Sequence, residues 1–205
     1  METSNCSTLP TLVIISGVPG TGKSTLARHL RRELGWPMIL KDKIKETMFD
    51  ASGVDVRHIT RSHSHQLGVQ SDAVMYALAV GLLSARVSCI IEANFLPTNA
   101  AHDLAPLVSI ANARQVHCHV PAPVSINRYR TRYESGKRHP VHLDHLEAED
   151  RVSDPIPERD LLPIPLDCPL LSIDTESGYR PALDRILDFC TSYGRRHIHD
   201  QCPEG

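Results

Sequence analysis

Apolar positions along this chain fall into two kinds of run that alternate with each other. Short, unbroken stretches rich in β-branched residues occur at 11–16 (TLVIIS), 38–40 (MIL), 88–92 (SCIIE), 115–120 (QVHCHV) and 170–175 (LLSIDT). A strand buried on both faces of a sheet reads this way, without polar alternation. Between these stretches apolar residues recur at helical spacing. Leu26, Leu30 and Leu34, with Ala27 beside them, make one helix face that Gly35 and Pro37 terminate. The pattern predicts further helices from "KDKIKETMF" at 41, over 69–83, over 97–110 with Pro106 as an end or kink, from 125 through 138, and over 181–193. Strands alternating with helices predict a parallel sheet covered on both sides, an α/β fold. The polar stretch 51–66 reads as a loop or short-helix insertion over a site. Residues 144–169, rich in acid and proline, read as a loop within one domain spanning 1–205, and 194–205 as a frayed tail.

The first strand leads into "GVPGTGKST". Gly17, Gly22, Lys23 and Ser24 match G-x-x-x-x-G-K-[ST], with a strand before and a helix after. Glycines let successive backbone N–H groups turn inward as an anion nest at the positive end of a helix. The whole loop, Gly17, Val18, Pro19, Gly20, Thr21, Gly22, Lys23, Ser24 and Thr25, is therefore the expected nucleotide site. Lys23 reaches the β- and γ-phosphates, and the Ser24 hydroxyl takes a place on Mg²⁺. No N/TKxD guanine motif occurs in the chain, which favours ATP.

Three further features bear on the fate of the phosphate. Asp42, at a strand-to-helix junction, falls at the carboxyl end of the sheet, where ligands bind in open α/β folds. It is either a base for an acceptor hydroxyl or the N-cap of its helix. Glu92 ends a buried strand and either serves the Mg²⁺ shell or is a solvated strand end. From Arg128 to Arg138 four Arg and one Lys stand against Glu134, a net charge of +4 in eleven residues. Arg128 and Arg132 share a helix face and either clamp a triphosphate or form a solvated basic surface.

Together the loop, "KDKIKE", "IIEANF" and "RYRTRYESGKRHPVH" resemble the small P-loop kinases, most closely the group with chloramphenicol phosphotransferase, zeta toxins and phage polynucleotide kinase, also grouped as AAA-like ATP-binding proteins. The likeness extends over about residues 10 to 190. It implies a P-loop three-layer αβα sandwich with a central parallel sheet and a helical lid at about 126–142. It further implies that Asp42 is the general base, that Arg128 and Arg132 are lid arginines on the phosphates, and that Glu92 stands where relatives often carry Asp. The expectation is an ATP- and Mg²⁺-dependent kinase acting on a hydroxyl of a small molecule or a nucleoside or nucleotide. A polynucleotide 5′-hydroxyl kinase, a sugar-nucleotide kinase and a partner-controlled ATPase switch are the alternatives.

Composition narrows this reading. A formal charge of −2 argues against coating nucleic acid by bulk electrostatics, and 4% aromatic content leaves few stacking platforms for a strand. Nucleic acid is therefore possible as an acceptor but not favoured. Six cysteines without a CxxC pair and the absence of a leader pattern predict free thiols in the cytoplasm. No apolar run reaches the length of a membrane span. Three H-x-H pairs (63/65, 117/119, 197/199) lack a third ligand at zinc spacing. Arg57, His58, Arg61, His63 and His65 are candidates for an acceptor surface by adjacency to Asp42. Lys137, Arg138 and His139 belong to the lid without individual roles. The sequence sets no oligomeric state.

Overall fold

A computed structural model of the chain describes residues 9–136, 138–143 and 156–192. The run of 11–16 becomes β1 (Thr11–Ser16), the centre of a five-stranded, all-parallel sheet. The others are β2 (Met38–Leu40), β3 (Cys89–Glu92), β4 (Asn112–His119) and β5 (Leu170–Asp174), in the order β2-β3-β1-β4-β5. The helices are α1 (Lys23–Leu34), α2 (Lys41–Ser52), α3 (Arg61–Ser84), α4 (Pro97–Ser109), α5 (Ala122–Glu134) and α6 (Leu183–Thr191). This is the three-layer αβα fold of P-loop kinases.

Successive β1 side chains enter opposite cores, because a strand's side chains alternate between faces. Leu12 and Ile14 pack with Met75, Ala79 and Leu83 of α3 and Leu104 and Leu107 of α4. Val13 and Ile15 pack with Leu26 and Leu30 of α1 and Ile186 and Cys190 of α6. Every β1 residue is buried, which is why its sequence is continuously apolar. In register, Ile15 lies opposite Glu92 of β3 and Ser16 opposite His117 of β4, so the carboxyl ends of three strands open at one place. The chain order reverses there: β2 and β3 lie on one side of β1, β4 and β5 on the other. Such a switch point leaves a crevice above the strand ends.

Several boundaries differ from the sequence pattern. The stretch 51–66 is mostly ordered helix: α2 runs to Ser52, a short 3-10 turn spans Val56–His58, and α3 starts at Arg61 rather than 69. Thr60 caps α3, its Oγ1 accepting from the His63 N–H at 3.2 Å. Arg61, His63 and His65 are exposed, so the first turns of α3 lack the apolar period that marks the rest. Pro106 lies within α4, three residues before its end, rather than ending it. β4 starts at Asn112 rather than 115, its first three residues hidden in the sequence by Asn112 and the polar but buried Arg114. α5 ends at Glu134, short of 138, and α6 is shorter at both ends than 181–193. Residues 144–155 of the expected loop and the expected tail lie outside the described residues.

Contrary to the expectation that no segment reaches membrane-span length, α3 is long and apolar enough to do so by composition. In this fold its buried line of Gly68, Ser71, Met75, Ala79 and Leu83 faces the protein, and Asp72 forms an ion pair with Lys41.

Leu30 is fully buried under the sheet and remote from the crevice. Leu30→Ala should cost about 2–5 kcal/mol, cavity included. Urea unfolding should show a lower midpoint at an unchanged slope.

Candidate active site

The loop between β1 and α1 is held from the strands beside it. Gly17 adopts φ 134°, and a Cβ there would stand 2.2 Å from the Cys118 carbonyl oxygen of β4. Gly20 adopts φ 88°, and its Cβ would meet the Ser125 carbonyl oxygen of α5 at 2.4 Å. No other residue tolerates that combination of conformation and contact. Side chains complete the frame. Thr21 Oγ1 donates to the Val18 carbonyl at 2.7 Å, Ser125 Oγ to the Pro19 carbonyl at 2.7 Å, and Thr175 Oγ1 to the Thr21 carbonyl at 2.6 Å. Gly22 is the N-cap of α1, and Thr25 lies exposed in its first turn.

Lys23 and Ser24 meet Glu92. Ser24 Oγ donates to Glu92 Oε2 at 3.0 Å, while Lys23 Nζ lies 3.8 Å from Glu92 Oε1 and donates to the Val18 carbonyl at 3.3 Å. Glu92 is therefore no solvated strand end; it is 5% exposed. Burial pushes its carboxyl pKa up, and Lys23 opposes that shift. Burial likewise pushes the Lys23 ammonium down, against the attraction of Glu92 and Asp42. A hydroxyl and a carboxylate side by side, both hard oxygen donors beside an anion nest, fit a Mg²⁺ ion.

Asp42 faces the same space from the first turn of α2. Leu40, not Asp42, is the N-cap of that helix, so the capping alternative falls away. The Asp42 carboxylate accepts from Arg138 at 2.9 Å. Withdrawal from water would raise its pKa, but Arg138, His142 and Lys23 outweigh that and hold it down at about 2.

Arg138 belongs to a strap, residues 138–142, that docks along α2. His142 Nε2 donates to Glu46 Oε1 at 3.2 Å, and His139 Nε2 to Asp50 Oδ1 at 3.0 Å. Asp42, Glu46 and Asp50 are four apart and form one helix face. Ser64 Oγ of α3 donates to the Val141 carbonyl at 2.7 Å, and Val141 and His142 are buried. The strap thus roofs a cleft of about 440 Å³ that begins at Pro19, Lys23, Ser24 and Glu92 and extends between α2, α3 and α4.

The basic helix divides its arginines. Arg132 lines the cleft, its guanidinium 5.3 Å from the Tyr129 ring centre. Arg128 instead donates to the carbonyls of Gly20, Thr175 and Glu176, at 3.4, 2.9 and 2.7 Å. It ties the phosphate loop to the end of β5. Of the suggested acceptor surface, Arg61 and His65 line the cleft, while Arg57 pairs with Asp55 on the outside. His117 bridges Ser16 Oγ and the Leu161 carbonyl, and no three His, Cys, Asp or Glu side chains among the described residues group as metal ligands. Lys137 lies outside the described residues. Lys41, Asp72, Tyr76, Asn99 and Asp103, also on the cleft wall, carried no sequence signal, because their meeting depends on how α2, α3 and α4 cross.

A family comparison matches residues 12–156 to the AAA domain. The chain belongs to that family. It also resembles solved P-loop kinases. A protein of Chloroflexus aurantiacus J-10-fl described as a "putative kinase" is 29% identical, with a TM-score of 0.74 over 91% of this chain and 100% of its own. A sugar kinase from Janibacter sp. HTCC2649 is 18% identical over 88% and 94%, with a TM-score of 0.52. Shikimate kinase from Acinetobacter baumannii is 17% identical over 88% and 92%, with a TM-score of 0.50. The last two share the fold. No curated protein matches the chain.

His142 supplies a test of the strap. Burial, then Arg138 and Lys45, hold its pKa down at about 4, although Asp42 and Glu46 pull it upward. Between about pH 6.5 and 4 the unfolded chain therefore binds a proton that the folded chain refuses. The stability from a neutral His142 is complete above pH 6.5 and falls with pH until about 4. Asp42, with its depressed pKa, adds a loss that begins below its ordinary pKa of 3.8 and runs down through about 2. Denaturant midpoints followed from pH 7 to 4 should fall, and His142→Gln should flatten that dependence.

Proposed function

We propose that this chain is an ATP- and Mg²⁺-dependent phosphotransferase that moves the γ-phosphoryl group to a hydroxyl of a small molecule, nucleoside or nucleotide. One observation carries the reading: a single roofed cleft has Lys23, Ser24 and Glu92 at one end and Asp42 and Arg132 on its walls. A pure hydrolase needs room only for water, whereas this cleft continues past the phosphate loop into space enough for an acceptor.

In this reading the loop amides and Lys23 hold the β- and γ-phosphates. Ser24 and Glu92 would hold a Mg²⁺ ion with their oxygens. When bound, that ion neutralises charge on the phosphate oxygens. Asp42, ionised throughout the neutral range, accepts a hydrogen bond from the acceptor hydroxyl and aims its oxygen at the γ-phosphorus. The new O–P bond forms as the bond from γ-phosphorus to the β,γ-bridging oxygen breaks, with ADP leaving. The hydroxyl proton passes to Asp42 and then to solvent. A carboxylate with a pKa near 2 is a weak base, which suits a loose transition state in which the proton moves late. Arg138 keeps Asp42 in place, and Arg132 offsets charge developing on the transferring group. Arg128 holds the loop's shape through its three carbonyl contacts.

Transfer of labelled γ-phosphate from ATP, screened over sugars, nucleosides, antibiotics and oligonucleotides, tests the activity. Asp42→Asn should lower transfer by about 10²–10⁴-fold and leave ATP affinity nearly unchanged. ATP turnover that requires a protein partner and labels no acceptor would sink the proposal in favour of a switch. Separately, Glu92→Gln should raise the Mg²⁺ concentration for half-maximal rate by about 10–100-fold, read by metal titration at saturating ATP.

A further inference from the structure

The walls of the cleft beyond Asp42 are polarised along their length. α3 contributes Arg61, His65, Gly68, Asp72 and Tyr76, positions three or four apart and so on one face. Gly68 stands midway, and a Cβ there would meet nothing within 4 Å, so the helix surface is open between the two ends. Two contacts with α2 mark those ends. Lys41 Nζ lies 2.6 Å from Asp72 Oδ2, and Lys45 Nζ donates to Ser64 Oγ at 2.7 Å. With a rise of about 1.5 Å per residue, the two contacts stand about 6 Å apart along α2 and about 12 Å apart along α3.

The chemistry differs at the two contacts. Around Lys41 the cleft presents Asp72, Asn99, Asp103 and Tyr76, a mixture of acceptors and donors on α3 and α4. Burial raises the Asp72 pKa, and Asp103 and Asp42 add to the rise against Lys41, so this end gains from hydroxyl donors placed on its carboxylates. On the side of Lys45 the cleft is lined by Arg61, Arg132 and Arg138 with one carboxylate, Asp42, paired to Arg138, so cations are in excess there. A separation of one to two helical turns suits one sugar-sized molecule. An oligonucleotide would have to pass the strap, where Val141 and His142 are packed down, and an apolar drug would face charge on most sides.

We propose that the acceptor is a small polyol bearing an anionic group, phosphate or carboxylate. Asp72, Lys41, Asn99 and Asp103 bind the hydroxyls that do not react, and Lys45 and Arg61 bind the anion. This rests on the kinase reading above. Asp42, beside Lys41 and one turn from Lys45, then meets a hydroxyl between the two anchored ends.

The test measures labelled phosphate transfer from ATP to matched triplets: a neutral sugar or nucleoside, its monophosphate, and its carboxylate counterpart. Neutral antibiotics and an oligonucleotide serve as outsiders. The anionic members should show a KM at least about tenfold below their neutral partner, the scale of one charge-assisted contact. The stronger of the phosphate and carboxylate arms identifies the anion. Arg61→Ala should remove that preference, raising KM for the anionic member while the KM for ATP and for the neutral partner stays put. Arg61 is exposed in the first turn of α3, and thermal unfolding checks that the variant keeps its fold. Asp72→Asn should raise KM across each triplet, with thermal unfolding as the check on its integrity. Equal use of neutral and anionic members, an unaltered preference in Arg61→Ala, or a best acceptor among the outsiders overturns the acceptor class and leaves the kinase standing. ATP binding with no labelled acceptor at all overturns both.

Discussion

The buried meeting of Lys23, Ser24 and Glu92 is the constraint around which the upper end of the sheet is built. A carboxylate withdrawn from water is tolerated only with compensation, and here it has a hydroxyl donor at 3.0 Å and an ammonium at 3.8 Å. Both partners come from the first turn of α1, while Glu92 comes from the adjacent strand. The pairing of Ile15 with Glu92 therefore determines where the phosphate loop ends and the metal-suited oxygens begin. Residual frustration remains: the Lys23 ammonium also leans on the Val18 carbonyl, a contact it can exchange for a phosphate oxygen. A site assembled in this way is preorganised for a polyanion and its cation, and little needs to move when they bind.

A second layer of charge extends from this centre along α2. Asp42, Glu46 and Asp50 repeat once per turn, and Arg138, His142 and His139 meet them in that order along the helix. The strap's position is thus written in helical periodicity on one side and, on the other, in a five-residue segment that ends in a 3-10 turn, Pro140–His142. Its first contact is the one that matters for chemistry, since it orients the carboxylate that faces the cleft. Its remaining contacts anchor a roof, helped by Val141 and by Ser64 from α3. Arg128 performs a comparable service for the phosphate loop, joining Gly20 to the end of β5. Arg128 and Arg132, on one face of the basic helix, differ in what they reach because they stand one turn, about 6 Å, apart along its axis.

How much of this was legible before folding differs by element. Strands with both faces buried announced themselves, and β1 and β3 stand where their apolar runs lie; β5, an edge strand with only Ile173 buried, also follows its run. β4 was legible only from Gln115 onward, because Asn112 and the buried Arg114 put polar residues in its first three positions. The start of α3 was missed because exposed turns carry no apolar period, although Thr60 was present as a capping signal. In the site, the loop motif was readable because its chemistry is local: consecutive amides, one lysine and one hydroxyl. The Asp42–Arg138 contact was not, since its partners are separated by 96 positions and α5 had to end early for the strap to turn back.

The sequence by itself determined the layered α/β architecture, the phosphate loop and the candidacy of Asp42 and Glu92, since each follows from period, local motif or position at a strand end. Tertiary structure alone decided which arginine faces the cleft, that Asp42 is gripped by Arg138 and caps nothing, and that Lys41 and Asp72 mark one end of the cleft while Lys45 and Ser64 mark the other. Those facts depend on the crossing of α2, α3 and the strap. Helix crossings are set by packing between residues distant in the chain, which no local pattern encodes.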